Sequence, residues 1–209
     1  MKRLFTLICL LLVVSLACAS PIANEASGTV LFQDDFSQPT SGWDRFQAEG
    51  GMMDYDGGGY RFLVNQLNTN FWATPDQEFT DVRLEVDSGK LGGPDQNRIG
   101  LLCRFTETDY YFFLISSDGF YTIGIYTSGQ AMQLGQSEMQ ASQNINKGMA
   151  VNHLRADCIA DTLTFYVNGV QVAQAKDSRL KSGDVGLLAG TFDAPGVDVI
   201  FDNFVALNP

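Results

Sequence analysis

Catalytic chemistry needs particular residue types at particular spacings, and this chain offers few of them. Glu85 and Asp87, two apart in RLEVDSGK, stand on one face of a strand. Paired carboxylates of this kind serve a glycosidase as nucleophile and general acid. Here they share the face with Asp81 and Arg83, and Ser88, Gly89 and Lys90 follow, which describes a solvated strand face. The single histidine, His153 in VNHLRADC, lies near Arg155 and Asp157 and reads as a hydrogen-bonded surface residue rather than a general base. There is no Gly-x-Ser-x-Gly elbow. The DGGGYRF stretch at 56–62 introduces no helix, so it is a turn and not a phosphate cradle.

The richest stretch is aromatic. DYYFFLISSDGFYTIGIY, from Asp109 to Tyr126, is a hairpin whose three-residue turn Ser117-Asp118-Gly119 pairs Ser116 with Phe120. That register puts Tyr111, Phe113, Ile115, Tyr121, Ile123 and Ile125 on a core face. Tyr110, Phe112, Leu114, Ser116, Phe120, Thr122, Gly124 and Tyr126 take the other face, aromatic but interrupted by small and polar residues. Strict alternation adds Arg104 to this second face and leaves Trp72 at its edge, although Trp72 and Trp43 both read first as core anchors. Sugars present flat C–H faces and a rim of hydroxyls, which aromatic rings and planar polar groups match. Tyr110, Tyr126, Arg104, Phe112, Phe120 and Trp72 are therefore the candidate glycan-binding residues, with packing inside the fold as the alternative for each.

Those residues need a scaffold. Between Val30 and Leu207 short alternating runs bounded by Gly, Asn, Asp and Pro succeed one another without helical periodicity, the pattern of an all-β sandwich or barrel. Eleven strands are expected, at 30–36, 60–65, 79–87, 98–105, 110–116, 120–126, 152–158, 162–167, 170–175, 184–189 and 197–207. Asn168-Gly169 marks a two-residue turn pairing Val167 with Val170 and Phe165 with Val172. Leu163, Phe165, Val167, Val170 and Val172 are then expected on one face.

The N-terminus addresses the chain. Lys2 and Arg3 precede an apolar run from Leu4 to Leu16, so residues 1–18 form a signal peptide too short to span a bilayer. Ser15-Leu16-Ala17-Cys18 has the form of a lipoprotein site that lipidates Cys18, with Ser15 where an aliphatic residue is usual. Ala17-Cys18-Ala19 would instead suit ordinary cleavage and free secretion. The lipoprotein reading is preferred, with 19–28 as a polar tether and 29–209 as the domain. Cys103 and Cys158 remain in an oxidising compartment and are expected to form a disulfide. A net charge of −11 argues against nucleic acid and anionic lipid surfaces as partners, which leaves a lipid anchor as the membrane contact.

Together LFQDDFSQPTSGW, GLLCRF, YYFFLISSDGFYTI, DTLTFYVNG and VIFDNFVAL resemble the concanavalin A-like lectin/glucanase superfamily, closest to its laminin-G-like and keto-disaccharide-hydrolase-like bacterial members. The resemblance covers nearly all of 29–209. It implies a jelly-roll sandwich of two curved antiparallel sheets with the first and last strands adjacent. Its glucanases carry Glu-x-Asp-x-Glu, and the second glutamate is missing after Glu85-Val86-Asp87. Related sandwiches hold a structural calcium ion between first and last strands, which here implies Asp34, Asp35 and Asp202. The expectation is an exported glycan-binding or surface-recognition domain without catalysis of its own. The alternatives are a saccharide hydrolase or lyase and a protein-contact domain.

Overall fold

The computed structural model describes residues 28–209. The signal segment 1–18, its Cys18, and the tether up to residue 27 lie outside the described residues. In chain order the strands are β1 (Val30–Asp34), β2 (Phe46–Ala48), β3 (Gly51–Asp56), β4 (Gly59–Val64), β5 (Asn70–Ala73), β6 (Glu78–Phe79), β7 (Val82–Gly92), β8 (Asn97–Phe105) and β9 (Tyr110–Ile115). They continue as β10 (Phe120–Thr127), β11 (Gln130–Gln133), β12 (Gln140–Ala141), β13 (Val151–Ile159), β14 (Thr162–Val167), β15 (Val170–Lys176), β16 (Gly183–Thr191) and β17 (Val197–Leu207).

They form two antiparallel sheets, the jelly-roll sandwich the resemblance implies. One sheet runs β15-β14-β13-β7-β17-β4-β3-β2, with β1 also on β17. The other runs β11-β10-β9-β8-β16-β5, with β12 on β10 and β6 on β16. The first and last strands are indeed adjacent, Gln33 opposite Val205 and Asp34 opposite Phe204.

Burial follows the pleat. In β7, Val82, Leu84 and Val86 are buried while Arg83, Glu85 and Asp87 between them are not, so this strand shows one face to the core and one to water. All six residues of β9 are buried, so both its faces are covered. Its inner face joins the main core through Tyr111, Phe113 and Ile115; its outer face belongs to a second, smaller cluster. Cys103 on β8 and Cys158 on β13 are disulfide-bonded, tying one sheet to the other. Such a bond persists where thiols are oxidised, as in an exported chain.

The turns set the registers. Ser116 N–H donates to Phe120 O at 2.8 Å and Gly119 has φ +103°, as the Ser-Asp-Gly turn requires. Asn168 and Gly169 both have positive φ, and Val167 pairs with Val170. Beyond that turn the expected register fails. A bulge between Phe165 and Tyr166 pairs Phe165 with Ala173 rather than Val172, and Val170 is exposed.

Candidate functional site

A second bulge shapes the site. On β8 two residues, Cys103 and Arg104, stand between Leu102 and Phe105, whereas β16 has only Val185 between their partners Gly186 and Asp184. Arg104 takes φ +50° there. The extra residue reverses the alternation, bringing Phe105 to the outer face and removing Arg104 from it. Arg104 is 1% exposed. Its guanidinium donates to the carbonyls of Thr80 (3.0 Å), Ala160 (2.8 Å) and Leu180 (2.9 Å) and to Asp81 Oδ1 (3.2 Å). Strict alternation therefore misplaces Arg104, which fastens three loops and does not reach the candidate face.

Phe105 instead enters a row of rings on the outer face of the β8–β10 sheet. Tyr110 stacks on Tyr126 at 5.1 Å and 12°, and on Phe105 at 5.7 Å and 27°. Trp72 closes the row, 6.3 Å from both Phe105 and Tyr110. With other rings stacked on it, Tyr110 is 5% exposed and is a filler rather than a stacking platform. Burial, with the neighbouring Tyr126, lifts its phenol to about 12, so it stays a neutral donor at any ordinary pH. Among the described residues, neither the Tyr110 nor the Tyr126 hydroxyl has a hydrogen-bond partner in the protein.

Beside this row lies a groove of about 510 Å³. Phe112 and Leu114 line it, and their side chains lie close over glycines of the neighbouring strands. A Cβ at Gly124 would overlap the Phe112 ring and one at Gly100 the Phe113 carbonyl, so both positions admit only glycine at this spacing. Tyr126, Met132 and Met139 add apolar wall. Gln133, in the same wall, has its Oε1 buried without a hydrogen-bond partner among the described residues.

The polar end was not foreseen from the sequence. Asn70 on β5, Asn68 just before it and Arg98 on β8 meet because Arg98 and Asn70 both pair with Gly190 of β16. Arg98 donates to Asn70 Oδ1 at 2.9 Å and to Asn68 Oδ1 at 3.0 Å, and its guanidinium lies 4.1 Å from the Phe192 ring centre. Burial holds its pKa below the ordinary arginine value. No aspartate or glutamate lines this groove.

The remaining candidates are scattered around it. Phe120 is 38% exposed and lines a neighbouring hollow of about 230 Å³ with Gln96, Asp118 and Asp193. Trp72 is 39% exposed and lines, with Phe46, Phe71 and Arg45, a second hollow of about 510 Å³ that meets the groove at Asn70. Tyr126 and Phe112 are in the groove itself.

The implied calcium set does not converge. Asp34 and Asp35 line one hollow, with Asn203, while Asp202 lines another, with Asp87. Asp34 already accepts from Phe36 N–H (2.8 Å), Trp43 Nε1–H (2.9 Å) and the Ser41 hydroxyl. Asp35 accepts from Ser37 N–H and Asp202 from Asn203 N–H. Both Asp34 carboxylate oxygens already accept hydrogen bonds, which a cation would have to displace. These residues do not fit a calcium ion as they stand.

The carboxylate pair faces the other way. Glu85 and Asp87 are on the outer face of the opposite sheet, bridged by His153, whose Nδ1 is 2.9 Å from Asp87 Oδ1 and whose Nε2 is 3.4 Å from Glu85 Oε2. Those hydrogen bonds raise His153 above its ordinary value and lower Glu85. Asp87 also accepts from Asn203 Nδ2 at 3.0 Å. The cluster is a bonded surface network, as the sequence suggested for His153.

No protein-family model matches the chain, and no curated protein matches it significantly. Solved structures do. It is similar to a carbohydrate binding module, CBM66, from Bacillus subtilis at a TM-score of 0.63 and 18% identity, over 80% of this chain and 96% of that one. A Bacillus subtilis protein of unknown function with a galectin-like fold gives 0.63 at 11%, over 86% and 96%. Laminarinase from Flavobacterium sp. UMI-01 gives 0.61 at 11%, over 86% and 100%. These likenesses establish the sandwich fold and leave function to the site.

Proposed function

We propose that this chain is an exported, lipid-anchored glycan-binding domain without catalysis of its own, and that the groove over β9 and β10 holds the ligand. One observation carries the reading: the groove combines ring surface, three side-chain amides and an arginine with no carboxylate in its lining. Rings cover sugar C–H faces and amides answer hydroxyls, which is enough to bind. Glycoside hydrolysis by the usual route needs two carboxylates flanking the bond. The alternating pair Glu85 and Asp87 lies on the opposite sheet and is tied up by His153. That both a carbohydrate binding module and a laminarinase share the fold supports a saccharide ligand in either case. The lipid anchor rests on Ser15-Leu16-Ala17-Cys18.

Affinity electrophoresis of the mature protein through gels holding different soluble polysaccharides tests this. Retardation by at least one polymer, with its chain length unchanged after incubation, is expected. Shortened chains would make the domain an enzyme, and retardation by none would return the groove to packing. Labelling the expressed protein with a palmitate analogue, with and without Cys18→Ser, tests the anchor.

A further inference from the structure

We propose that the saccharide is acidic and that Arg98 receives its carboxylate, so that the ligand is a uronate-containing glycan. This rests on the glycan-binding reading of the same groove.

Arg45, Arg61, Arg83, Arg104, Arg155 and Arg179 each have a carboxylate oxygen within 3.2 Å. Arg98 is the one described arginine without an acidic partner. In a chain with 24 acidic residues and a net charge of −11, that is not a shortage of carboxylates. Arg98 lines a groove from which all of them are missing. A half-buried guanidinium has lost part of its hydration, and among the described residues no group of opposite charge pairs with it to restore that loss.

The guanidinium is also held in place. Asn68 and Asn70 each accept one N–H, and Phe192 covers a face. Three of its five N–H groups remain without a protein acceptor among the described residues, lying in the guanidinium plane. Planar N–H donors set in advance match the two oxygens of a carboxylate. Asn68 and Asn70, whose carbonyl oxygens are turned to Arg98, keep their NH₂ groups for the neighbouring sugar hydroxyls. The overall acidity of the chain opposes an anionic polymer at long range, so binding depends on this local site and its salt dependence is weak beside that of a basic patch.

The test uses polygalacturonate, alginate and a glucuronan, each beside its carboxyl-reduced neutral form, with a sulfated galactan as a third arm. Affinity electrophoresis is run on the mature wild type, Arg98→Gln, Arg98→Lys and Tyr126→Ala, with melting midpoints confirming that each variant is folded. At least one acidic polymer is expected to bind about tenfold or more tightly than its reduced form. Arg98→Gln should erase that difference, with Arg98→Lys restoring part of it, and Tyr126→Ala should weaken both forms. Equal binding of acidic and reduced forms, unchanged in Arg98→Gln, would overturn the carboxylate while leaving the glycan-binding groove intact. Equal binding of the sulfated galactan would reduce the claim to charge alone and overturn carboxylate recognition. Binding of no polymer, acidic or neutral, would overturn both.

Discussion

Arg104 shows how one backbone dihedral decides what a side chain is for. An extended backbone at that position would leave its guanidinium among the rings. At φ +50° it becomes a buried fastener for the carbonyls of Thr80, Ala160 and Leu180. Arg104→Met should lower unfolding stability by about 3–5 kcal/mol, since the carbonyls and Asp81 lose a buried charged donor. Denaturant melts measure this, and a loss under 1 kcal/mol would contradict the assignment. Arg98, by contrast, is tied only to asparagine amides and a ring, which is what leaves it available. His153 allows a test by pH. Its folded-state value is raised above 6.5, so its stabilisation is complete below that pH and is lost as pH climbs through the raised value. Glu85, lowered from 4.5, contributes above that pH and loses its share as pH falls through the lowered value. The difference in stability between wild type and His153→Gln should peak between about pH 4.5 and 6.5 and fade above. With the imidazole 44% exposed, solvent screening holds it to at most about 1 kcal/mol. A difference that grows toward pH 8 would contradict the bridge.

At the scale of elements, Gly124 on β10 and the bulge on β8 build the groove. Gly124→Ala drives a methyl into the Phe112 ring and the Met132 carbonyl, and should cost about 1–3 kcal/mol with weakened glycan retardation. Unchanged stability and binding would mean the ring is free to move aside. The eleven strands β1, β4, β7 to β10 and β13 to β17 were legible in the sequence, from alternation where one face meets the core, as in β7, or from an apolar run where both faces are covered, as in β9. The short strands β2, β5, β6, β11 and β12 were not, since edges and two-residue pairings carry little pattern, nor was the six-residue β3, most of whose side chains are only half-buried. Neither bulge was legible, because an inserted residue leaves no mark in composition, even where, as at Arg104, it takes positive φ. The aromatic part of the site was read from one hairpin whose turn fixed its register. Its polar end was hidden: Asn68, Asn70 and Arg98 are close only because β16 lies between β5 and β8.

For the whole molecule, the two sheets are held by a shared apolar core and one covalent tie. Cys103 and Cys158 are 55 residues apart, a loop whose closure is worth about 4 kcal/mol in chain-entropy terms. Reduction, or Cys103→Ala with Cys158→Ala, should lower unfolding stability by about that amount; an unchanged melt would place the tie outside the stability of the fold. Calcium should not matter in the same way. Because Asp34 is satisfied by Trp43, Phe36 and Ser41, a chelator should leave the melting midpoint where it was, and a fall of several degrees would show a bound ion. The arrangement of the molecule then assigns its faces. One sheet carries a charged network that satisfies itself, and the other carries rings, amides and an unpaired arginine around a groove.

The most direct measurement of that claim uses the two tryptophans of the chain. Trp43 is 3% exposed in the core, whereas Trp72 is 39% exposed at the end of the ring row. Tryptophan emission, followed while a retarding polysaccharide is titrated in, should therefore report on Trp72. Wild type should show a saturable change that disappears in Trp72→Phe, while that variant is still retarded in gels. Retardation without any change in emission, or a change that survives Trp72→Phe, would place the glycan away from the ring row and contradict that row as part of its site.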